Sequence, residues 1–129
     1  MTSPDGINWI ERTASADNSW RSVCWSPELS LLVAVSSSGS SNHVMTSPNG
    51  IIWTSQVTSP SINWINIIWI SELSLFVALS ADLDLNNVMT SPDGINWVLG
   101  NAIVGNWFSL AWSPELKIIL AVGSDGRIM

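Results

Sequence analysis

Residues 2–9 read Thr-Ser-Pro-Asp-Gly-Ile-Asn-Trp, and this stretch returns at residues 46–53 and 90–97. The third copy is identical to the first, and the second differs only at Asn49 and Ile52. A methionine precedes each copy, and the period is 44 residues. A period of this length is typical of proteins built from stacked units, each of which buries its apolar surface against its neighbours. We therefore interpret the chain as three units of one repeat.

Each unit contains short apolar segments between turn signals, a pattern that predicts β-strands rather than helices. Proline and glycine mark the turns, because proline pre-sets the backbone angle of a turn's second position and glycine suits its fourth. In the first full unit, the predicted strands are residues 20–25, 29–35, 43–46 and 51–54. In the second unit they are residues 64–69, 73–80, 87–90 and 95–98. In the third they are residues 107–112 and 117–122, followed by 127–129.

A four-stranded antiparallel unit of about 40–45 residues has the size of a β-propeller blade. The Ser-Pro-Asp-Gly-x-x-Trp element resembles the Asp-box of sialidase-type, sortilin-type and photosystem-assembly-type propellers, which usually reads Ser-x-Asp-x-Gly-x-Thr-Trp. Here the interval between Asp and Gly is one residue shorter and the threonine is absent. The resemblance covers all three units and implies an all-β propeller of four-stranded antiparallel blades. It implies little about function, since Asp-boxes lie on turns remote from the active sites of those families.

The blade boundaries predict that residues 1–129 form a single domain, one half of a propeller. The predicted parts are blade one at 19–57, blade two at 62–99, an incomplete blade three at 106–129, and an outer strand within 1–12 that has no blade of its own. Three blades are too few to close a ring, because propellers have about four to eight. We therefore expect two chains to join head to tail in a six-bladed homodimer, each donating residues 1–12 to the other's third blade.

The predicted assembly interface consists of the apolar and basic residues of the two end segments. These are Ile7, Trp9, Ile10, Arg127, Ile128 and Met129. Without a partner, an open sheet edge and Trp-rich faces would be exposed, and such surfaces promote aggregation. The alternatives are a nine-bladed trimer and a fragment of a longer array with no function of its own.

Composition excludes several classes of partner. The net charge is −6 with only four Lys plus Arg, so no basic patch is available for nucleic acid or anionic lipid. The most apolar stretch, residues 62–79, is interrupted by Asn, Ser and Glu, which argues against a membrane span. No basic segment followed by an apolar run opens the chain, so no signal peptide is visible. A single Cys24 excludes an internal disulfide.

The loops divide into a conserved and a variable set within this one chain. The turns after the first and third strands of each unit hardly vary, whereas the other loops vary strongly and should lie together on the opposite side, the loop face. They comprise residues 11–19, 54–63, 98–106, 36–42, 80–87 and 123–126. Variable loops on a rigid scaffold often bind ligands, although neutral drift produces the same pattern. The candidate ligand-binding residues are Asp17, Asn18, Asn42, Asp82, Asp84 and Asn86.

The sequence therefore predicts a non-enzymatic recognition or scaffold module that binds itself and a glycan or protein ligand. Sialidase-type chemistry, as the resemblance would imply, needs an arginine triad and a tyrosine nucleophile. The chain has no Tyr and three Arg. A glycoside-hydrolase-like enzyme whose chemistry comes from the loops is the alternative. No cofactor is predicted.

Other reactive or aromatic residues have structural interpretations. His43 is expected in a solvated or interface position, and Cys24 as a small buried hydrophobe. Asp82, Asp84 and Asn86 resemble the start of a calcium loop, but its glycine and final glutamate are missing, so no metal site is predicted. Asp5, Asn49 and Asp93 are expected to stabilise turns. Core packing is favoured over sugar stacking for three sets of Trp: 20, 64 and 107; 25, 69 and 112; and 9, 53 and 97.

Overall fold

The computed structural model describes residues 1–39, 42–57, 62–82, 87–124 and 126–129. These residues form antiparallel sheets of four, four and two strands, which confirms the all-β prediction. The first sheet contains β1 (Trp20–Ser26), β2 (Leu31–Ser36), β3 (Val44–Ser47) and β4 (Thr54–Gln56). The second contains β5 (Trp64–Ile70), β6 (Leu75–Ser80), β7 (Val88–Ser91) and β8 (Val98–Gly100). The third contains β9 (Trp107–Ser113) and β10 (Ile118–Gly123).

Strands adjacent in the chain are also adjacent in each sheet, and the pairing registers of the first two sheets correspond. Val33 of β2 opposes Thr46 of β3, and 44 residues later Val77 of β6 opposes Thr90 of β7. In the third sheet, Ala121 and Met129 exchange two backbone hydrogen bonds of 2.8 and 3.0 Å. This pair matches Ala34 with Met45 and Ala78 with Met89 in the other two sheets. The local sequence therefore sets the same strand register in each sheet.

The predicted fourth strands are wrong in their bounds, since they begin at Thr54 and Val98 rather than at 51 and 95. The reason is local: the side chains of Asn49 and Asp93 accept hydrogen bonds from the backbone N–H groups two and three residues later, which hold the chain in a turn. The second strands also start two residues late. Ser30 and Ser74 adopt φ of +49°, a left-handed conformation that an extended strand does not contain.

The three sheets stack through their faces. Val33, Val35 and Val44 of the first sheet form one core cluster with residues of the second sheet that include Trp64 and Phe76. A second cluster joins the opposite side of the second sheet to the third sheet. The first strands lie closest to one another, with β1 against β5 and β5 against β9. Because both faces of the second sheet are covered, β5 and β6 are more buried than the corresponding β1 and β2.

Candidate functional site

The repeated turn uses its polar side chains on its own backbone. In the third copy, Ser91 Oγ accepts the Gly94 N–H at 2.9 Å, and Asp93 Oδ1 accepts the N–H groups of Ile95 and Asn96 at 2.8 and 2.7 Å. The Trp97 indole then donates to the Gly94 carbonyl at 3.2 Å. The first two copies make the corresponding bonds. The expectation that these residues stabilise turns is confirmed.

Hydrogen bonding also fixes the charge of these turns. Burial tends to raise the pKa of Asp93, but bonds from the Asn96 backbone and side chain, the Ile95 N–H and the Ser91 hydroxyl together lower it from 3.8 to about 2. Equivalent bonds, led by those from the Asn8 backbone and side chain, hold the pKa of Asp5 well below its usual range. Both carboxylates are therefore ionised at neutral pH, as acceptors within a turn.

This shift predicts an acid-sensitive stability with a known sign. A carboxyl whose pKa is lower in the folded state stabilises the fold above its unfolded pKa, and that contribution disappears as the pH falls from about 4 towards 2. Between these pH values, we expect the unfolding free energy of Asp93→Asn to fall less than that of the wild type, by up to about 1 kcal/mol because solvent screens this half-buried site. Urea unfolding at a series of pH values measures it.

Asn49 provides the matched control, because it holds the same turn without a charge. Asn49→Asp should add acid sensitivity where Asp93→Asn removes it. Identical pH profiles for the wild type and both variants would contradict the assignment.

On the loop face, the structure brings two of the predicted ligand-binding residues together. Asn18 Nδ2 donates to the Asn42 carbonyl at 2.6 Å and to Ser36 Oγ at 3.3 Å. The amide of Asn18 therefore joins the loop before β1 to the loop between β2 and β3. Asp17, beside it, is exposed. Asp84 and Asn86 lie outside the described residues.

Asp82 is placed by a partner that sequence reasoning missed. Its Oδ1 accepts Asn63 Nδ2 at 2.6 Å, and its Oδ2 accepts the Asn63 N–H at 2.9 Å. Near this pair, Arg21 donates from Nε to Ser37 Oγ at 2.6 Å. Asp82, Asn63 and Arg21 line one depression of about 580 Å³ together with the exposed ring of Phe108. Arg21, Ile65 and Phe108 all line this depression, and they are spaced 44 and 43 residues apart. Aligning the three units would therefore have placed them at equivalent positions.

The two candidate nucleophile or base side chains lie inside the sheets. His43 is buried, and its Nδ1 lies 3.2 Å from the Ser36 carbonyl oxygen, so of the expected solvated or interface position the solvated alternative is wrong. Cys24 is half-buried against the first core cluster, as predicted for a small hydrophobe. Burial raises the pKa of its thiol to about 12, so the reactive thiolate is scarce at neutral pH.

Most tryptophans pack in the core as expected. Trp64 and Trp107 are fully buried, while Trp69, Trp97 and Trp112 pack against the two clusters. The other four lie outside the two clusters: Trp20 and Trp53 are half-buried, and Trp9 and Trp25 are exposed.

Among the described residues, no further sheet packs on the tryptophan-bearing side of the first sheet, whose residues are half-buried or buried. Trp20, Leu32, Ala34, Met45 and Trp53, which we call the Trp face, line a groove of about 500 Å³ with Met1 and Thr2 at its edge. The corresponding side of the second sheet carries Trp64, Phe76, Ala78, Met89 and Trp97, and it packs against the first sheet. The Trp face thus has the composition of a surface that a neighbouring sheet covers.

On the third sheet, the side that no other sheet covers is the one opposite to the tryptophan-bearing side. Ile118, Leu120 and Val122, which we call the aliphatic face, correspond to Leu75, Val77 and Leu79 of the second sheet. Leu79 is fully buried, whereas Val122 is 45% exposed. Within the described residues, the two end sheets therefore carry the two halves of the contact by which neighbouring sheets pack, and no neighbouring sheet covers either half.

The predicted interface residues lie on both end segments. Thr2 and Ile10 exchange two backbone hydrogen bonds of 2.8 Å and close a hairpin, in which Ile7 occupies the turn and is 81% exposed. This hairpin lies beside the first sheet, because Thr2 lines the groove of the Trp face. At the other end, Ile128 pairs with Val122, and Arg127 donates to the Val104 carbonyl at 2.9 Å. Within one chain, the two segments lie on different sheets.

The described residues contain no group of three or more His, Cys, Asp or Glu side chains that is arranged to hold a metal ion. In the same part of the chain, no helix has the length and apolar character needed to cross a membrane. The chain matches no model of a known protein family, and a search of curated proteins found no significant match. Function must therefore be argued from the geometry.

Proposed function

We propose that the chain is a non-enzymatic β-propeller module that assembles with a second copy of itself and presents its loop face for recognition. Two copies joined head to tail place the aliphatic face of each on the Trp face of the other, and six sheets then form a closed ring. Six lies within the range of about four to eight blades that propellers use. The observation that carries the proposal is that the two open faces correspond to surfaces that pack together inside the chain.

The sheet edge supports the same assembly. On the side away from β9, Ile119 and Leu120 pair with no strand among the described residues. The corresponding residues of the first sheet, Leu32 and Val33, oppose Ser47 and Thr46. In this register, Ser3 and Thr2 of a second copy would oppose Ile119 and Leu120. The Thr2–Ile10 pair corresponds to the Thr46–Thr54 pair between β3 and β4. Residues 1–12 therefore have the hairpin that would complete the third sheet.

Light scattering on the purified chain tests the assembly directly. We expect the mass of a dimer with a β-sheet circular dichroism spectrum. Replacing residues 1–12 by a Gly/Ser segment of equal length should shift the mass towards the monomer, because it removes the completing strand and keeps the length. A folded wild-type chain that stays monomeric overturns the assembly. If the variant with residues 1–12 replaced has the same dimer mass as the wild type, the strand exchange is wrong.

For recognition, we propose the loop face, since it combines an exposed aromatic ring, a cation and amide groups around Arg21, Asn63 and Phe108. Such a surface suits a polar ligand such as a glycan or a peptide loop. A glycan array is the first test, with binding and no hydrolysis of the bound sugar as the expected result. Phe108→Ala should weaken binding while Val57→Ala, on an exposed residue outside this depression, should not. Hydrolysis of a bound glycan would contradict the non-enzymatic assignment.

A further inference from the structure

Neighbouring sheets are joined by a hydrogen bond that recurs with the repeat. Trp69 of β5 donates from Nε1 to Glu28 Oε2 of the turn after β1, at 2.7 Å. Trp112 of β9 donates in the same way to Glu72 Oε2, at 3.1 Å. In both cases, the tryptophan near the end of one sheet's first strand binds the glutamate on the first turn of the preceding sheet.

A second bond recurs nearer the middle of the first strands. Ser22 Oγ accepts the Ile67 N–H at 3.3 Å, and Asn66 Oδ1 accepts the Leu110 N–H at 3.1 Å. Each contact joins a polar side chain of one sheet to a backbone N–H of the next. The two series therefore fix both the spacing and the register of adjacent sheets.

If each series of bonds is extended beyond the chain by one more sheet, its next donor lies on the first sheet and its next acceptor lies on the third sheet. Trp25 corresponds to Trp69 and is 45% exposed, and no described residue accepts its indole N–H. Glu115 corresponds to Glu28 and Glu72 and is exposed on the turn after β9. In the second series, Ser109 corresponds to Asn66, and Val23 supplies the N–H that corresponds to that of Ile67.

We propose that Trp25 of one copy donates its indole hydrogen bond to Glu115 of a second copy, and that this bond sets the register of the interface between copies. The inference rests on the proposed assembly and specifies the atoms that select the partner. In the same contact, Ser109 Oγ of the second copy accepts the Val23 N–H of the copy that supplies Trp25. Glu115 is suited to this role, because the corresponding Glu28 and Glu72 accept the indole N–H groups of the next sheet within the chain.

A double-mutant cycle on the dimer dissociation constant, measured by sedimentation equilibrium, tests the pairing. Trp25→Phe removes the N–H and keeps an aromatic ring, and Glu115→Ala removes the acceptor from an exposed turn. We expect each single change to weaken association about 100-fold, because it removes a hydrogen bond to a charged group at both contacts of the closed dimer, at about tenfold for each bond. The double variant should be no weaker than either single variant, because both remove the same bond.

Glu28→Ala is the matched control, since it removes the same kind of bond inside one chain. It should lower the urea midpoint of unfolding and change the dimer dissociation constant less than about twofold. The Trp25–Glu115 pair is wrong if the effects of the two single changes multiply in the double variant. It is also wrong if neither change alters the dissociation constant. In both cases the proposed assembly stands. A wild-type chain that remains monomeric overturns both.

Discussion

Trp64→Ala is expected to remove most of the stability of the fold. Trp64 is 0% exposed, and it packs in the cluster between the first and second sheets with Phe76 and Val33. Replacing a buried aromatic ring by a methyl group costs about 3–5 kcal/mol, because the transfer free energy is lost and a cavity remains. Small domains are stabilised by about 5–15 kcal/mol. Urea unfolding followed by circular dichroism should therefore show a large fall in the midpoint.

Phe108→Ala is the control for this variant, since its ring is 50% exposed on β9. We expect it to change the unfolding free energy by less than about 1 kcal/mol. Trp20→Ala is the more informative comparison, because Trp20 holds the position of Trp64 on the open Trp face. Its effect should grow with chain concentration, since a second copy would cover the part of this half-buried ring that one chain leaves accessible. An equal loss for Trp64→Ala and Phe108→Ala would show that the core is not where the sheets meet.

The second large effect is expected on association. Val122→Glu places a carboxylate on the aliphatic face, at the position of Val35 and Leu79, both of which are 0% exposed. A single chain should tolerate the change, because Val122 is open to solvent. In the dimer the charge would be buried against the Trp face without a partner, so we expect association to weaken at least about 100-fold. Sedimentation velocity measures the mass, and circular dichroism verifies that the chain is folded.

Val57→Glu carries the same change to a residue that is 84% exposed beyond the end of β4. It adds the same charge away from both open faces, and the dimer should persist. If Val122→Glu still forms the dimer at micromolar concentration, the aliphatic face is not the interface and the head-to-tail arrangement is wrong.

Sequence reasoning worked best where the interaction is local. Asp93 and Asn49 were recognisable as turn residues because their acceptors bind N–H groups two and three positions away. The same local bonds displaced the start of the fourth strands, a detail that hydrophobic patterning does not contain. Aligning the units also predicted which tryptophans share a structural position, and the buried pair Trp64 and Trp107 belongs to one such set.

The candidate site was less predictable, because its contacts join residues distant in the chain. Asp82 was identified as a loop acid, but its partner Asn63 lies 19 residues earlier. For His43 the sequence predicts a solvated or interface position, yet the folded chain buries it. Composition alone could not place Arg21 in the same depression as Asp82, since that requires the order in which the sheets stack.

The amino-acid sequence by itself determined the period, the turns and the antiparallel strands, because these depend on interactions within one unit. Only the tertiary structure decided which tryptophans are covered, which carboxylates bind across sheets and which faces stay open. Those properties depend on how one sheet lies on the next, and that packing is a sum of contacts between residues about 44 positions apart.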